Sequence, residues 1–384
     1  MKPTCPHPID AAPPAVLHLG AGVIHGGVEA FLASLAVHSR RTTPSYALCA
    51  DGRLAREARQ AGRTVHVLPP VRLSRPIQIL KARKALGRVI DEARPDLAVI
   101  HSSWMQVLFG PVLGRRGVVS ATWIHGIATS QPWLERLARR HHPVRIFTAS
   151  RYMAEQTAAW YPGVPRSVVH IPVPAPEPRT DADRLAMRMS LGTDPDEVVV
   201  VVSCRFEPWK GHDILFRALG RLSSVPGWRL WVAGGAQEEH EKRRMEGLRN
   251  LGEELGIGRR IRFLGQRNDI PAVLQASDIH CQPNSGPEPF GIAFVEALYA
   301  GVPVVSTAIG GAREIVDATC GVLVPQGDVP ALAAAIKALI LDPERRKDLG
   351  EGGRKRAAEL CDPPRQVSAL EEVLRGMVVR PGLS

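Results

Sequence analysis

From residue 16 to residue 148, short β-branched and apolar runs alternate with stretches whose apolar positions recur at helical spacing. That alternation is the mark of a parallel sheet flanked by helices. It predicts strands at Val16–Leu19, Tyr46–Cys49, Thr64–Leu68, Leu97–His101, Val118–Ile124 and Arg145–Thr148. Helices are expected between them, notably over Val28–Val37, Pro76–Ala93 and Pro132–Arg140. Within the second of these, Ile79, Ala82, Leu86 and Ile90 form a stripe to pack on the sheet, and Lys81, Lys84 and Arg88 form a basic one. At residues 172–180 proline recurs too often for helix or strand, which marks a domain boundary.

The alternation then resumes. Val198–Ser203 is a continuous apolar run of the kind a central parallel strand needs. Further strands are expected at Arg229–Ala233, Arg260–Leu264, Asp278–Gln282, Val302–Ser306 and Gly321–Val324. Asp328 is placed to cap a helix with Pro330 in its first turn, and helical patterns near Glu344–Leu360 and Arg365–Met377 follow. The expected organisation is a lead-in without regular structure over 1–14 and an α/β domain over 15–176. A second α/β domain follows over 177–360, and a C-terminal helix over 361–384 packs back on the first domain. Two doubly wound sheets in tandem put a ligand at the strands' C-terminal ends, in a cleft between domains.

Charge alters this picture on one side only. Residues 1–176 carry 22 Lys and Arg against 9 Asp and Glu, and the remainder carries 27 against 29. The first half is therefore expected to face something anionic. Nucleic acid is disfavoured, because the basic residues lack interleaved aromatics. No apolar run reaches the roughly 18 residues that span a bilayer, and the N-terminus has no signal-peptide core, so a cytoplasmic protein is expected. The six cysteines are widely spaced with no metal-ligand pattern and fit reduced, packed thiols.

Three stretches carry candidate chemistry. Residues 18–32, HLGAGVIHGGVEAFL, read as strand, Gly-rich loop and helix, where free N–H groups favour a phosphate; a plain tight turn reads equally well. His25 stands where a dinucleotide fingerprint needs its third glycine. In residues 203–219, Arg205 and Lys210 follow a buried strand and can neutralise a diphosphate; the alternative is two solvated loop charges. Residues 284–316 hold Glu288 in a Pro/Gly loop and Glu296 in the following helix, which the N–H groups of Phe290, Gly291 and Ile292 open. A paired-carboxylate hydrolase is the competing reading.

With these residues in order, the chain resembles the retaining glycosyltransferases of family four, which have the GT-B architecture of two Rossmann-like domains facing a central cleft. The resemblance rests on Gly26-Gly27-x-Glu29, His125, Arg205 with Lys210-Gly211, and Glu288 to Glu296 within EPFGIAFVEALYAGVPVV. Gly310-Gly311 with Glu314, Gly321 to Val324 and Gly327-Asp328 complete it. Cys204 stands where the family usually has glycine, and His170 to Pro174 lack its usual Asn-Gly turn.

The resemblance implies sugar transfer from a nucleotide-sugar donor with retention of configuration, in glycoconjugate, polysaccharide or glycolipid synthesis. It implies that Arg205 and Lys210 bind the diphosphate, Glu296 the ribose and Glu288 the transferred sugar. Gly26 and Gly27 would lie against the phosphates and His125 beside the sugar. No cofactor or metal is implied, and the pairs Asp181/Asp183 and Asp194/Asp196 read better as capping and turn residues. A non-catalytic nucleotide-sugar-binding paralogue and a GT-B epimerase remain alternatives. The acceptor is expected to be lipid-linked or otherwise anionic, reached at an anionic membrane surface through Arg72, Arg75, Lys81, Lys84 and Arg88.

Overall fold

The computed structural model describes residues 12–22, 27–126, 136–236 and 238–378. The expected helix start at Pro132 and the loop residues His25 and Gly26 lie outside them. The chain forms two compact units. The first comprises residues up to Pro172 together with those from Pro363 onward, and the second runs from Val173 to Asp362.

The first unit is built on seven parallel strands: β1 (Ala15–Gly20), β2 (Thr43–Leu48), β3 (Val65–Val67), β4 (Leu97–His101), β5 (Val119–Ile124), β6 (Arg145–Thr148) and β7 (Arg166–Val168). Their spatial order is β3-β2-β1-β4-β5-β6-β7. The chain builds outward from β1 in one direction, then returns to β4 and builds in the other. The switch point between β1 and β4 is where such sheets open a crevice for ligands. Strand β7 was not expected from the sequence. It is a three-residue edge strand with a half-exposed face, too short to show any periodicity.

The helix Pro76–Ala93 packs Ala82, Leu86 and Ile90 into the core of this unit, as its apolar spacing required. The helix Pro363–Met377 is tied to the same unit through Glu371, which is 2% exposed. Its Oε1 accepts from the backbone N–H groups of Arg40, Arg41 and Thr42 at 3.0, 2.9 and 2.8 Å and from the Thr42 hydroxyl. One carboxylate thus satisfies three consecutive donors that precede β2.

The second unit repeats the plan with six parallel strands: β8 (Val198–Ser203), β9 (Trp228–Ala233), β10 (Ile261–Gly265), β11 (Ile279–Gln282), β12 (Val304–Thr307) and β13 (Gly321–Val324). Their order is β10-β9-β8-β11-β12-β13, so its switch point falls between β8 and β11. Val199 to Val202 are fully buried, as their continuous apolar run demands. Asp328 caps the helix Val329–Leu341 by accepting from the N–H of Ala331. Asp183 closes a capping box with Thr180 at the helix Asp181–Ser190, which accounts for one of the Asp-x-Asp pairs.

Candidate functional site

In the second unit, the chain leaves β8 at Ser203 and makes a single 3-10 turn over Pro208–Lys210 before the helix His212–Gly220. Gly211 joins the two with φ of 75°, and a Cβ there would fall 1.9 Å from the Pro283 carbonyl oxygen. Only glycine lets this loop close against the segment that follows β11. Phe206, fully buried, stacks on His212 at 5.0 Å and fixes the loop's base.

This geometry delivers Lys210 Nζ to 2.7 Å from Glu288 Oε2. Both side chains are largely covered, at 14% and 12% exposure. The same carboxylate oxygen accepts from Gln282 Nε2 at 3.2 Å and Asn284 Nδ2 at 3.3 Å. Lys210 also lies 4.0 Å from the centre of the Trp209 ring. Glu288 is held by its backbone as well: its carbonyl accepts from the Gly311 N–H at 2.7 Å, and a Cβ on Gly310 would sit 2.5 Å from that oxygen. The glycine pair in the sequence motif is therefore a packing requirement of the Glu288 loop.

Arg205 is anchored differently. Its guanidinium is bound by Glu241 Oε1 at 3.0 Å, with Glu207 at 3.5 Å, and its side chain remains 45% exposed. Glu241 is wholly buried and also closes the capping box at the start of the helix Glu239–Glu254. A buried carboxylate on one side orients the fork of donors.

The helix Ile292–Tyr299 opens at Gly291, whose φ of 115° again favours glycine. Gly291 and Ile292 therefore stand at a helix start, where N–H groups lack intrahelical partners and the dipole favours an anion. Glu296 lies in this helix, half-buried and with no hydrogen-bond or ion-pair partner among the described residues. Burial pushes its carboxyl up to about 7. Burial first, and then Lys210, holds His280 down at about 3, so its ring is neutral beside the Ser203 hydroxyl at 3.2 Å.

The remaining expected site residues belong to the first unit. Gly27 opens the helix Gly27–His38, and Gly26 lies outside the described residues. His125 follows β5, stacked on Trp123 at 5.5 Å, and burial lowers it to about 3. Its Nε2 is 3.1 Å from His101 Nδ1, and His101 Nε2 is in turn 3.1 Å from His18 Nδ1. Ser102, directly after His101, has φ of 129°. Side chains rarely adopt this region, and holding one there costs of order 1–3 kcal/mol.

The sequence therefore pointed to Arg205, Lys210, Phe290, Gly291, Ile292, Glu288 and Glu296, which fall in one unit, and the structure joins Lys210 directly to Glu288. It did not point to Gln282, Asn284, Glu241, His18 or His101. His101 was visible as the last residue of an expected strand, and Asn284 as the first of the third motif, but neither position names its partner.

Two family models match the chain. The model for glycosyl transferases group 1 covers residues 183–356, and that for Glycosyltransferase Family 4 covers residues 25–175. The D-inositol 3-phosphate glycosyltransferase of Mycobacterium marinum is 41% identical over 161 residues, covering 41% of this chain and 34% of that protein. The match thus spans about a third of the length of such relatives. The GDP-mannose-dependent alpha-(1-6)-phosphatidylinositol monomannoside mannosyltransferase of Mycolicibacterium smegmatis is 29% identical over 312 residues, covering 76% and 79% of the two chains. Among solved structures, Anabaena HepE in complex with UDP and glucose superimposes with a TM-score of 0.79 at 25% identity, covering 94% of this chain and 99% of that one.

The unpartnered carboxyl of Glu296 has a stability signature. Because its folded pKa lies above the ordinary carboxylate value, this group's contribution is lost as pH rises toward about 7. Glu296→Gln removes that loss. The variant should melt about 2–4 °C above the wild type at pH 8 and show no gain near pH 4.5, as read by calorimetry. An equal shift at both pH values would mean that the carboxyl is not buried in its charged form.

Proposed function

Since this chain belongs to the glycosyl transferases that combine a family 4 segment with a group 1 segment, we propose that it transfers a sugar from a nucleoside diphosphate donor to an acceptor, with retention of configuration. The observation that carries this reading is the covered Lys210–Glu288 pair together with the half-exposed Arg205 on the same loop as Lys210, all on loops at the switch point of the second sheet. A bare ion pair is a poor stability device, but one cation next to a carboxylate is what a phosphorylated sugar needs. Lys210 and Arg205 neutralise the diphosphate, and the charge they oppose grows as the bond from sugar to phosphate breaks. Glu288, held in place by Lys210, Gln282 and Asn284, accepts from the sugar's hydroxyls. Glu296 accepts from the ribose hydroxyls.

The acceptor oxygen forms the new bond to the sugar carbon on the face the diphosphate leaves, and its proton departs with the nucleoside diphosphate. Two fixed cations already meet the diphosphate charge, so transfer is expected to proceed in the presence of chelator. The test is transfer of labelled sugar from a panel of nucleotide sugars, with the anomeric configuration of the product determined. Arg205→Ala and Lys210→Ala should each lower kcat/KM about ten- to hundredfold, the value of one charge-assisted bond. Wild-type rates in both variants, or an inverted product, would contradict the reading.

The acceptor side of the reading is a membrane surface. Arg72, Arg75, Lys81, Lys84 and Arg88 are all exposed, and the helix Pro76–Ala93 also exposes Ile77 and Leu80, at 68% and 65%. Among the described residues no helix is long and apolar enough to cross a bilayer. Five cations near an anionic leaflet contribute about 1 kcal/mol each, and two exposed aliphatic side chains add apolar contact. The chain should float with vesicles containing anionic lipid at low salt, and this binding should fall at least about tenfold when Lys81, Lys84 and Arg88 are changed to Ser. Equal flotation with neutral vesicles would return this face to an ordinary surface.

A further inference from the structure

The first unit contains a line of three imidazoles that the proposed reaction does not by itself use. His18 on β1, His101 at the end of β4 and His125 after β5 come from three adjacent strands around the switch point. They are joined by two nitrogen–nitrogen contacts of 3.1 Å, His18 Nδ1 to His101 Nε2 and His101 Nδ1 to His125 Nε2. Tyr46, Phe31 and Trp123 pack around the rings. His18 and His101 are 2% and 3% exposed. At the other end, Nδ1 of His125 is buried and has no partner among the described residues.

Burial holds all three rings neutral near pH 7: His18 and His125 are pushed down to about 3, and His101 lies well below the usual range. Each ring then carries one N–H, and each contact needs one donor and one acceptor. If His101 donates from Nε2, His18 Nδ1 must be bare, and His125 must donate from Nε2 to the bare Nδ1 of His101. If His101 donates from Nδ1, the other two rings must carry their protons on Nδ1 as well. Any other arrangement sets two protons or two lone pairs against each other.

We infer that His18, His101 and His125 act as one tautomeric unit with every proton on Nε2, which presents Nδ1 of His125 as an acceptor for a ligand O–H or N–H. The choice of Nε2 follows from the ends of the line. An orphaned buried N–H is rarer and costlier than an orphaned acceptor, and His125 Nδ1 is the buried orphan here whereas His18 Nε2 is not. His18 and His101 are thus positioning residues: they reach the ligand only through the tautomer they impose on His125. The left-handed backbone of Ser102 is consistent with His101 being held in a set orientation at some cost. That the ligand is the transferred sugar rests on the reading proposed above; the tautomeric unit does not.

Two-bond proton–nitrogen correlation NMR on histidine-labelled full-length protein reads the tautomer of each ring, with signals assigned by single substitution. All three rings should show the Nε2–H pattern. His101→Phe keeps an aromatic ring in the stack but removes both contacts, so His125 should change to a mixture of tautomers. His18→Phe, which leaves His125 and its contact intact, should shift the His125 signal from two rings away. Differing tautomers in the wild type, or a His125 signal unchanged in both variants, would overturn the inference. In transfer assays, His101→Phe should lower kcat about tenfold while the donor KM stays within about twofold. Absence of any transfer by the wild type would remove the sugar-transfer reading, with the NMR result deciding the tautomeric unit separately.

Discussion

Lys210 and Glu288 meet across two loops that leave neighbouring strands, β8 and β11, and much of the second unit's local structure is arranged to let them do so. Gly211 allows the first loop to lie against Pro283, and Gly310 and Gly311 allow the second to lie against the segment after β12. Gln282 and Asn284 supply two further donors to the carboxylate, and Asn284 is itself fixed by Thr307 at its carbonyl. Taking two charges out of water is costly, and their attraction offsets that cost only when the remaining lone pairs are satisfied. Here one oxygen, Glu288 Oε2, takes the lysine and both amide donors, which offsets part of that cost.

The two sheets share a topology but hold different chemistry at their switch points. In the second unit the groups are charged and fixed by other charges: Arg205 by Glu241, Lys210 by Glu288. In the first, three histidines are kept neutral by burial and linked to one another. Phosphate recognition calls for the former, and discrimination among neutral hydroxyls suits the latter.

Most strands could be read directly from the sequence because a parallel sheet buries both faces and writes them as apolar runs such as Val198–Ser203. Strand β7 could not, since Arg166–Val168 is only three residues long and shows no alternation. The charged candidates Arg205, Lys210 and Glu288 stand out in the sequence because they follow strand ends, with Lys210 next to Gly211 and Glu288 between two prolines. Their partners do not. Glu241 lies in the first turn of a charged helix, among Glu238 and Glu239, where nothing local separates a buried carboxylate from a solvated one. His18 and His101 look like strand residues, and only the order of β1, β4 and β5 shows that they meet.

The central claim is that the Lys210–Glu288 pair serves a ligand and is not a strut. It is tested most directly by the melting temperature of the Lys210→Met/Glu288→Gln double variant, with and without saturating nucleotide sugar. Both replacements are neutral and near the original size, so no unpaired charge is left inside. The account predicts a ligand-free melting temperature no lower than that of the wild type, and loss of the rise that ligand gives the wild type. A variant that melts much lower but keeps the full ligand-induced rise would show that the pair holds the loops together and that the donor binds elsewhere.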